Sequence, residues 1–180
     1  MNKWINALNI DQLQSDFNDL KGIMFHPFET HVSKLTKFLN ARGILFTVNK
    51  HVRGALVHGL TVKTKNDKLM SAMTIKKKYV DTVWFSLFHE IGHVLNQDYL
   101  KHQSNPKITK ALEEKANTFA KNKLIDPDLY AEFVKYGDFC ESRIKWLAET
   151  NNPLPSIVVG RLMVDEYIPW SQYNLKVQYQ

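Results

Sequence analysis

A chain of 180 residues is long enough to bury one proper hydrophobic core. An apolar share of 44% with 23% charged residues is ordinary for a globular domain and excludes a disordered or fibrous chain. The single cysteine, Cys140, excludes an intrachain disulfide framework and fits a reducing, cytoplasmic setting; no nucleophile signature surrounds it.

The formal net charge of +6 describes a moderately basic surface. Its one dense run, Lys76 to Lys78, reads as a solvated strand end. No Cys/His finger, RNA-binding aromatic signature or helix-turn-helix pattern accompanies it, so direct nucleic-acid binding is not expected. The N-terminal stretch MNKWINALNIDQ lacks the apolar core of a signal peptide, and no segment holds the roughly 18 consecutive apolar residues of a membrane span.

In chain order, Ile10, Leu13, Phe17 and Leu20 recur at helical spacing, with Gly22 as a stop. Val32, Leu35, Phe38 and Leu39 mark a second helix ending near Gly43. The run Ile44 to Val48 reads as a buried strand, and Ala55 to Thr64 and Leu69 to Ile75 as two more. Asn66 and Asp67 between the last two suggest a hairpin turn. Asp81 is placed to cap a helix whose apolar face is Trp84, Leu87, Phe88, Ile91 and Leu95. Another helix spans Thr109 to Leu124, with Leu112, Ala116, Phe119 and Ala120 inward. Asp126 followed by Pro127 starts the next. Asp138 and Glu141 have capping-box spacing, and Pro155-Ser156 opens a final helix through Ile157, Val158, Leu162 and Met163. Helices, then about three strands, then helices again make an α+β fold, mainly helical, with the small sheet beside the helix of Trp84. The chain reads as one domain over residues 1–180: an N-terminal helical extension over 1–24, a core over 25–125 and a C-terminal helical part over 126–180, with fraying before Ile10 and after Tyr173.

The chemistry concentrates in His89-Glu90-Ile91-Gly92-His93. Residues four apart on a helix lie one turn above the other, so both imidazoles can reach one metal ion. Glu90 lies beside that stripe, within reach of a water at the metal, which is the physical content of the HExxH pattern. Ser86, His89, Glu90, His93 and Gln97 fall on one stripe of an otherwise apolar helix, and a buried helix does not carry such groups without partners. A catalytic zinc needs a third protein ligand and an open position. Glu113 is preferred, on the following helix, with Asn117 one turn later placed to fix a histidine tautomer. Glu114 is a rival turned about 100° away. Asp98 and His102 are alternative ligands that read more simply as loop residues.

The stretch Phe85 to Leu95, followed by Glu113-Glu114-Lys115-Ala116-Asn117-Thr118-Phe119-Ala120, resembles the ImmA/IrrE family of zinc metallopeptidases, the second segment being similar to that family's E-x-x-A-N-x-F-A helix. The spacing from His93 to Glu113 is like that of the wider gluzincin group, and Ser156 to Leu162 resembles the C-terminal part of members fused to Xre-type helix-turn-helix domains. The likeness runs from about Leu35 to Tyr173. It implies a zincin-like fold, one zinc ion held by His89, His93 and Glu113, and Glu90 as general base. It also implies a bacterial or phage-related system in which a DNA-binding repressor is cleaved. An Xre segment is not seen in this chain, so the repressor would be a separate protein or this would be a piece of a longer one. Lys115, where the family often has an acidic residue, is a minor departure.

For the oxyanion, Tyr99, His102, Tyr130 and Arg161 are the candidate donors, and the strand at Leu69 to Ile75 is expected to pair with an extended substrate. The main rival to an enzyme is a non-catalytic zinc-binding module that controls a helix-turn-helix transcription factor or an antitoxin-like partner by contact. A third reading, DNA binding by the chain itself, rests only on the basic charge.

Overall fold

A computed structural model of the chain describes residues 7–49, 59–65, 68–74, 79–99 and 106–171. The Lys76 to Lys78 run, the Asn66-Asp67 turn and His102 lie outside the described residues. Eight α-helices and a three-stranded sheet are found among those described, in agreement with the α+β expectation. None of the helices is long and apolar enough to cross a membrane.

The first predicted helix is two. α1 (Ile10–Ser15) and α2 (Phe17–Gly22) meet at Asp16, whose carboxylate accepts from Arg42 and from the Ser15 hydroxyl. The apolar spacing carries through the break, since Leu13, Phe17 and Leu20 are all buried. Gly22 does end α2, but the chain continues as a 3-10 turn over Ile23–Phe25 before α3 (Phe28–Ala41).

β1 (Ile44–Asn49), β2 (Gly59–Lys63) and β3 (Leu69–Thr74) form one sheet in the order β1-β3-β2. β3 is parallel to β1, with Ile44 opposite Leu69, and antiparallel to β2, with Thr61 opposite Ser71. This corrects one expectation. The strand proposed to receive a substrate, Leu69 to Ile75, is described as far as Thr74; there it is the centre of the sheet, and both its edges are already hydrogen-bonded. Among the described residues, β1 and β2 are the edge strands of the sheet.

The hub of the fold is α4 (Val80–Asn96), packed against α5 (Pro106–Leu124), α8 (Pro155–Val164), β2 and β3. Trp84 and Phe88 are its largest fully buried side chains. It starts one residue before Asp81, with Tyr79 at the cap position and no side-chain cap, so Asp81 sits in the first turn. At Gly92 a Cβ would come within 3.1 Å of Phe119 Cδ1 and 3.3 Å of Ala116 Cα. A side chain there requires Phe119 and the α5 backbone at Ala116 to give way, so Gly92 lets α4 and α5 approach closely beside the two histidines.

α6 (Pro127–Tyr136) begins as expected: Asp126 accepts from the Asp128 and Leu129 amides, and Pro127 fills the first position. α7 (Glu141–Asn151) begins differently. Its cap residue is Cys140, and Asp138 accepts the Cys140 amide in an Asx turn before the helix.

The N-terminal and C-terminal helices are tied by Lys21. Its buried ammonium donates to the Leu124 carbonyl at 3.2 Å and the Asn151 carbonyl at 3.0 Å, capping the ends of α5 and α7. Burial, with Lys123 nearby, lowers its pKa to about 8. Between that value and the ordinary lysine value of 10.5, the unfolded chain holds a proton the folded chain has released. Stability attributable to Lys21 therefore rises with pH across this window, and below it the cost of the buried charge is fully present. Chemical denaturation from pH 7 to 10.5 is expected to show this rise in the native protein and not in Lys21→Met; parallel profiles would contradict it.

Candidate metal centre

His89 and His93 project from the same side of α4, and α5 brings Glu113 to them. The two Nε2 atoms are 3.0 Å apart; His89 Nε2 is 3.1 Å from Glu113 Oε2, and His93 Nε2 is 3.5 Å from Glu113 Oε1. One ligand atom from each residue lies within 4.8 Å of the others. The histidines are shielded, with 15% and 4% of their side chains exposed, while Glu113 is 41% exposed, so the cluster opens to solvent on the α5 side.

The hydrogen bonds around the rings decide what this cluster can hold. His89 Nδ1 lies 2.9 Å from Asn117 Oδ1, and His93 Nδ1 lies 2.7 Å from Asp98 Oδ1. Both partners are acceptors, so each Nδ1 carries the proton and each Nε2 presents a lone pair. Two lone pairs and a carboxylate then converge on one point. That arrangement is repulsive by itself and suits a cation, and two imidazoles with a carboxylate are a donor set that metals such as zinc accept. Burial, and then the neighbouring His93, hold the His89 imidazole below its ordinary pKa, against the opposing pull of Glu113 and Asn117. A ring that stays neutral near pH 7 is the form a metal needs.

Asp98 is the residue that sequence reasoning misjudged. It is 1% exposed and is no plain loop residue. α4 ends at Gln97 in the left-handed region, φ 53°, and this turn swings Asp98 back beneath the helix, its amide bonding the His93 carbonyl. A carboxylate behind a histidine fixes its tautomer and raises its basicity. Asp98→Ala is therefore expected to weaken metal affinity about 10–100-fold. Competition with a chromophoric chelator reads this directly, and an unchanged affinity would remove Asp98 from the site.

Glu90 lies on the same helix, 5% exposed, with its Oε2 accepting the Thr61 hydroxyl at 2.7 Å. Neither Thr61 nor the neighbouring Gly59 stood out in the sequence; the only signal is a small polar residue at an inward strand position. Glu114 faces away, its side chain 66% exposed and 3.9 Å from Lys110.

Of the candidate oxyanion donors among the described residues, Tyr130 and Arg161 are engaged elsewhere. Tyr130 donates to Asp165, which also receives Arg161 and Lys121; Arg161 stacks on the Tyr130 ring at 4.4 Å. Burial and the Asp165 charge raise the Tyr130 phenol far above its ordinary pKa, as suits a structural donor. Arg161 lines a separate cavity with Asp81, Lys121 and Trp170, and Tyr99 lines another with Lys63, Lys68 and Leu69. Thus Tyr130 and Arg161 are spent on tying α8 to α5 and α6.

Comparison with known families finds a likeness to a peptidase domain. Residues 78–149 match the IrrE N-terminal-like domain, peptidase family M78. Over that stretch, about two fifths of the chain, the sequence is similar to the ImmA/IrrE family. The matched stretch contains α4, α5 and every residue of the cluster. No curated protein matches the chain.

Proposed function

We propose that this protein is a zinc metalloendopeptidase that cleaves a DNA-binding repressor or similar regulator in a bacterial or phage-related regulatory system, acting in the cytoplasm with one zinc ion. The observation that carries the reading is the convergence of two Nε2 lone pairs and the Glu113 carboxylate, with a buried glutamate beside them on the same helix.

His89, His93 and Glu113 would hold the ion, with Asn117 and Asp98 orienting the two rings. Zinc bound there supplies Lewis acidity toward the scissile carbonyl and makes water a nucleophile at neutral pH. Glu90 takes the proton of the attacking water on its carboxylate and delivers it to the leaving amine. The oxyanion requires a further donor; of the four candidates, Tyr130 and Arg161 are committed to Asp165. Of the two edge strands among the described residues, β2 is the one packed on α4, and an extended peptide adding to it would run past Glu90.

The test is to incubate the zinc-loaded protein with an extract of the cells that make it and to label new N-termini. Cleavage within a DNA-binding regulator by the native protein, absent with Glu90→Gln, supports the reading. No Glu90-dependent cleavage, alongside a stable complex with an intact regulator, would favour control by contact.

A further inference from the structure

The inner face of the sheet is apolar through Ile44, Phe46, Leu69 and Met73, but it is broken by two buried hydroxyls, Thr61 and Ser71, paired across β2 and β3. Glu90 enters at that break. Its Oε2 accepts the Thr61 hydroxyl at 2.7 Å, and Ser71 Oγ lies 3.4 Å from Thr61 Oγ1. Gly59, two residues before Thr61 and so on the same face, leaves the space that the carboxylate fills. A Cβ at position 59 would stand 2.5 Å from Glu90 Oε1 and 2.7 Å from its Cδ, inside any real contact.

We propose that Gly59 and Thr61 form a seat on β2 that positions the Glu90 carboxylate for proton transfer; Thr61 is a positioning residue, acting through Glu90. The physical need is specific. The terminal torsion of a glutamate is broad and roughly two-fold, so packing alone leaves the carboxylate free to turn. The Thr61 hydroxyl contributes to fixing that rotation. The seat also lies on an edge strand of the sheet among the described residues, so a peptide added along β2 would be held by the same backbone that sets the base. This functional role rests on the peptidase reading; the seat itself does not.

Two measurements separate them. The first is a melting cycle without metal. Thr61→Val strips the hydroxyl from a buried carboxylate and is expected to lower the melting temperature by about 3–10 °C. In a Glu90→Ala background the same change is expected to cost little, because the carboxylate it served is gone. Equal losses in both backgrounds would overturn the seat. The second is hydrolysis of fluorescently labelled casein by the zinc-loaded protein. Thr61→Val is expected to lower kcat about 10–100-fold with KM held within about twofold and metal content unchanged. Thr61→Ser, which keeps the hydroxyl, is expected to stay within about threefold of the native protein. An unchanged kcat in Thr61→Val, or a serine variant as poor as the valine variant, would overturn the positioning role. Casein left whole by the native protein would count against the peptidase reading, while the melting cycle still decides the seat.

Discussion

Replacing Glu90 by Gln is expected to lower casein hydrolysis by on the order of 10²–10⁴-fold while the protein keeps its metal and its fold. The substitution is nearly isosteric, and its amide oxygen can still accept the Thr61 hydroxyl, so the seat on β2 survives. What is lost is the proton acceptor. The burial of Glu90, at 5% exposure, makes the contrast informative, since such a carboxylate is costly to keep unless it has a task or partners. Metal analysis and thermal melting alongside the assay separate loss of chemistry from loss of structure. Full activity in Glu90→Gln would mean that another group moves the proton, and the reading of the HExxH pattern would fail at its central residue.

The second large effect concerns the metal. Chelation is expected to abolish hydrolysis and to lower the melting temperature by about 5–10 °C, the shift produced when a ligand present at about 100 times its dissociation constant is withdrawn from a domain of this size. The reason is local. With no cation between them, two Nε2 lone pairs 3.0 Å apart and the Glu113 carboxylate repel one another or must take up protons. A His93→Ala variant, which lacks the convergence, is expected to melt at one temperature with or without chelator. A native protein indifferent to chelator and to added zinc would show that the cluster holds no metal.

The helical part of the fold was legible because it is written at short range. Trp84, Leu87, Phe88 and Ile91 repeat at helical spacing and are buried as that spacing requires, and Asp126 with Pro127 is a local start signal that the structure keeps. The break at Asp16 was not legible. Ser15 donates to the Asp16 carboxylate locally, but the carboxylate's other partner, Arg42, lies 26 residues away. The role of the central strand was hidden for a similar reason. A hairpin pattern shows that β2 and β3 pair, but it carries no trace of β1 arriving in parallel on the far side of β3.

The site follows the same rule. His89, Glu90 and His93 sit within five residues of sequence, and helix geometry alone aligns two of them. Glu113 could be argued from its place on the next helix, with Asn117 one turn on. Asp98 could not, because its position depends on Gln97 adopting a left-handed turn that only an observed backbone reveals. Thr61 and Gly59 lie on a different element, joined to Glu90 only by the packing of the sheet against α4. Polar and small residues at inward strand positions break the apolar pattern, and such breaks mark sites more often than errors. Tyr130 and Arg161 show the converse: the right chemistry in sequence, drawn off in space by Asp165.

The most direct test of the account is X-ray absorption at the zinc edge on the zinc-loaded protein. It predicts a first shell of nitrogen and oxygen at about 2.0–2.1 Å, with the outer-shell pattern of two imidazoles that falls to one in His93→Ala. A shell containing sulfur, whether the Cys140 thiolate or a methionine thioether, or one without the imidazole pattern, would contradict it.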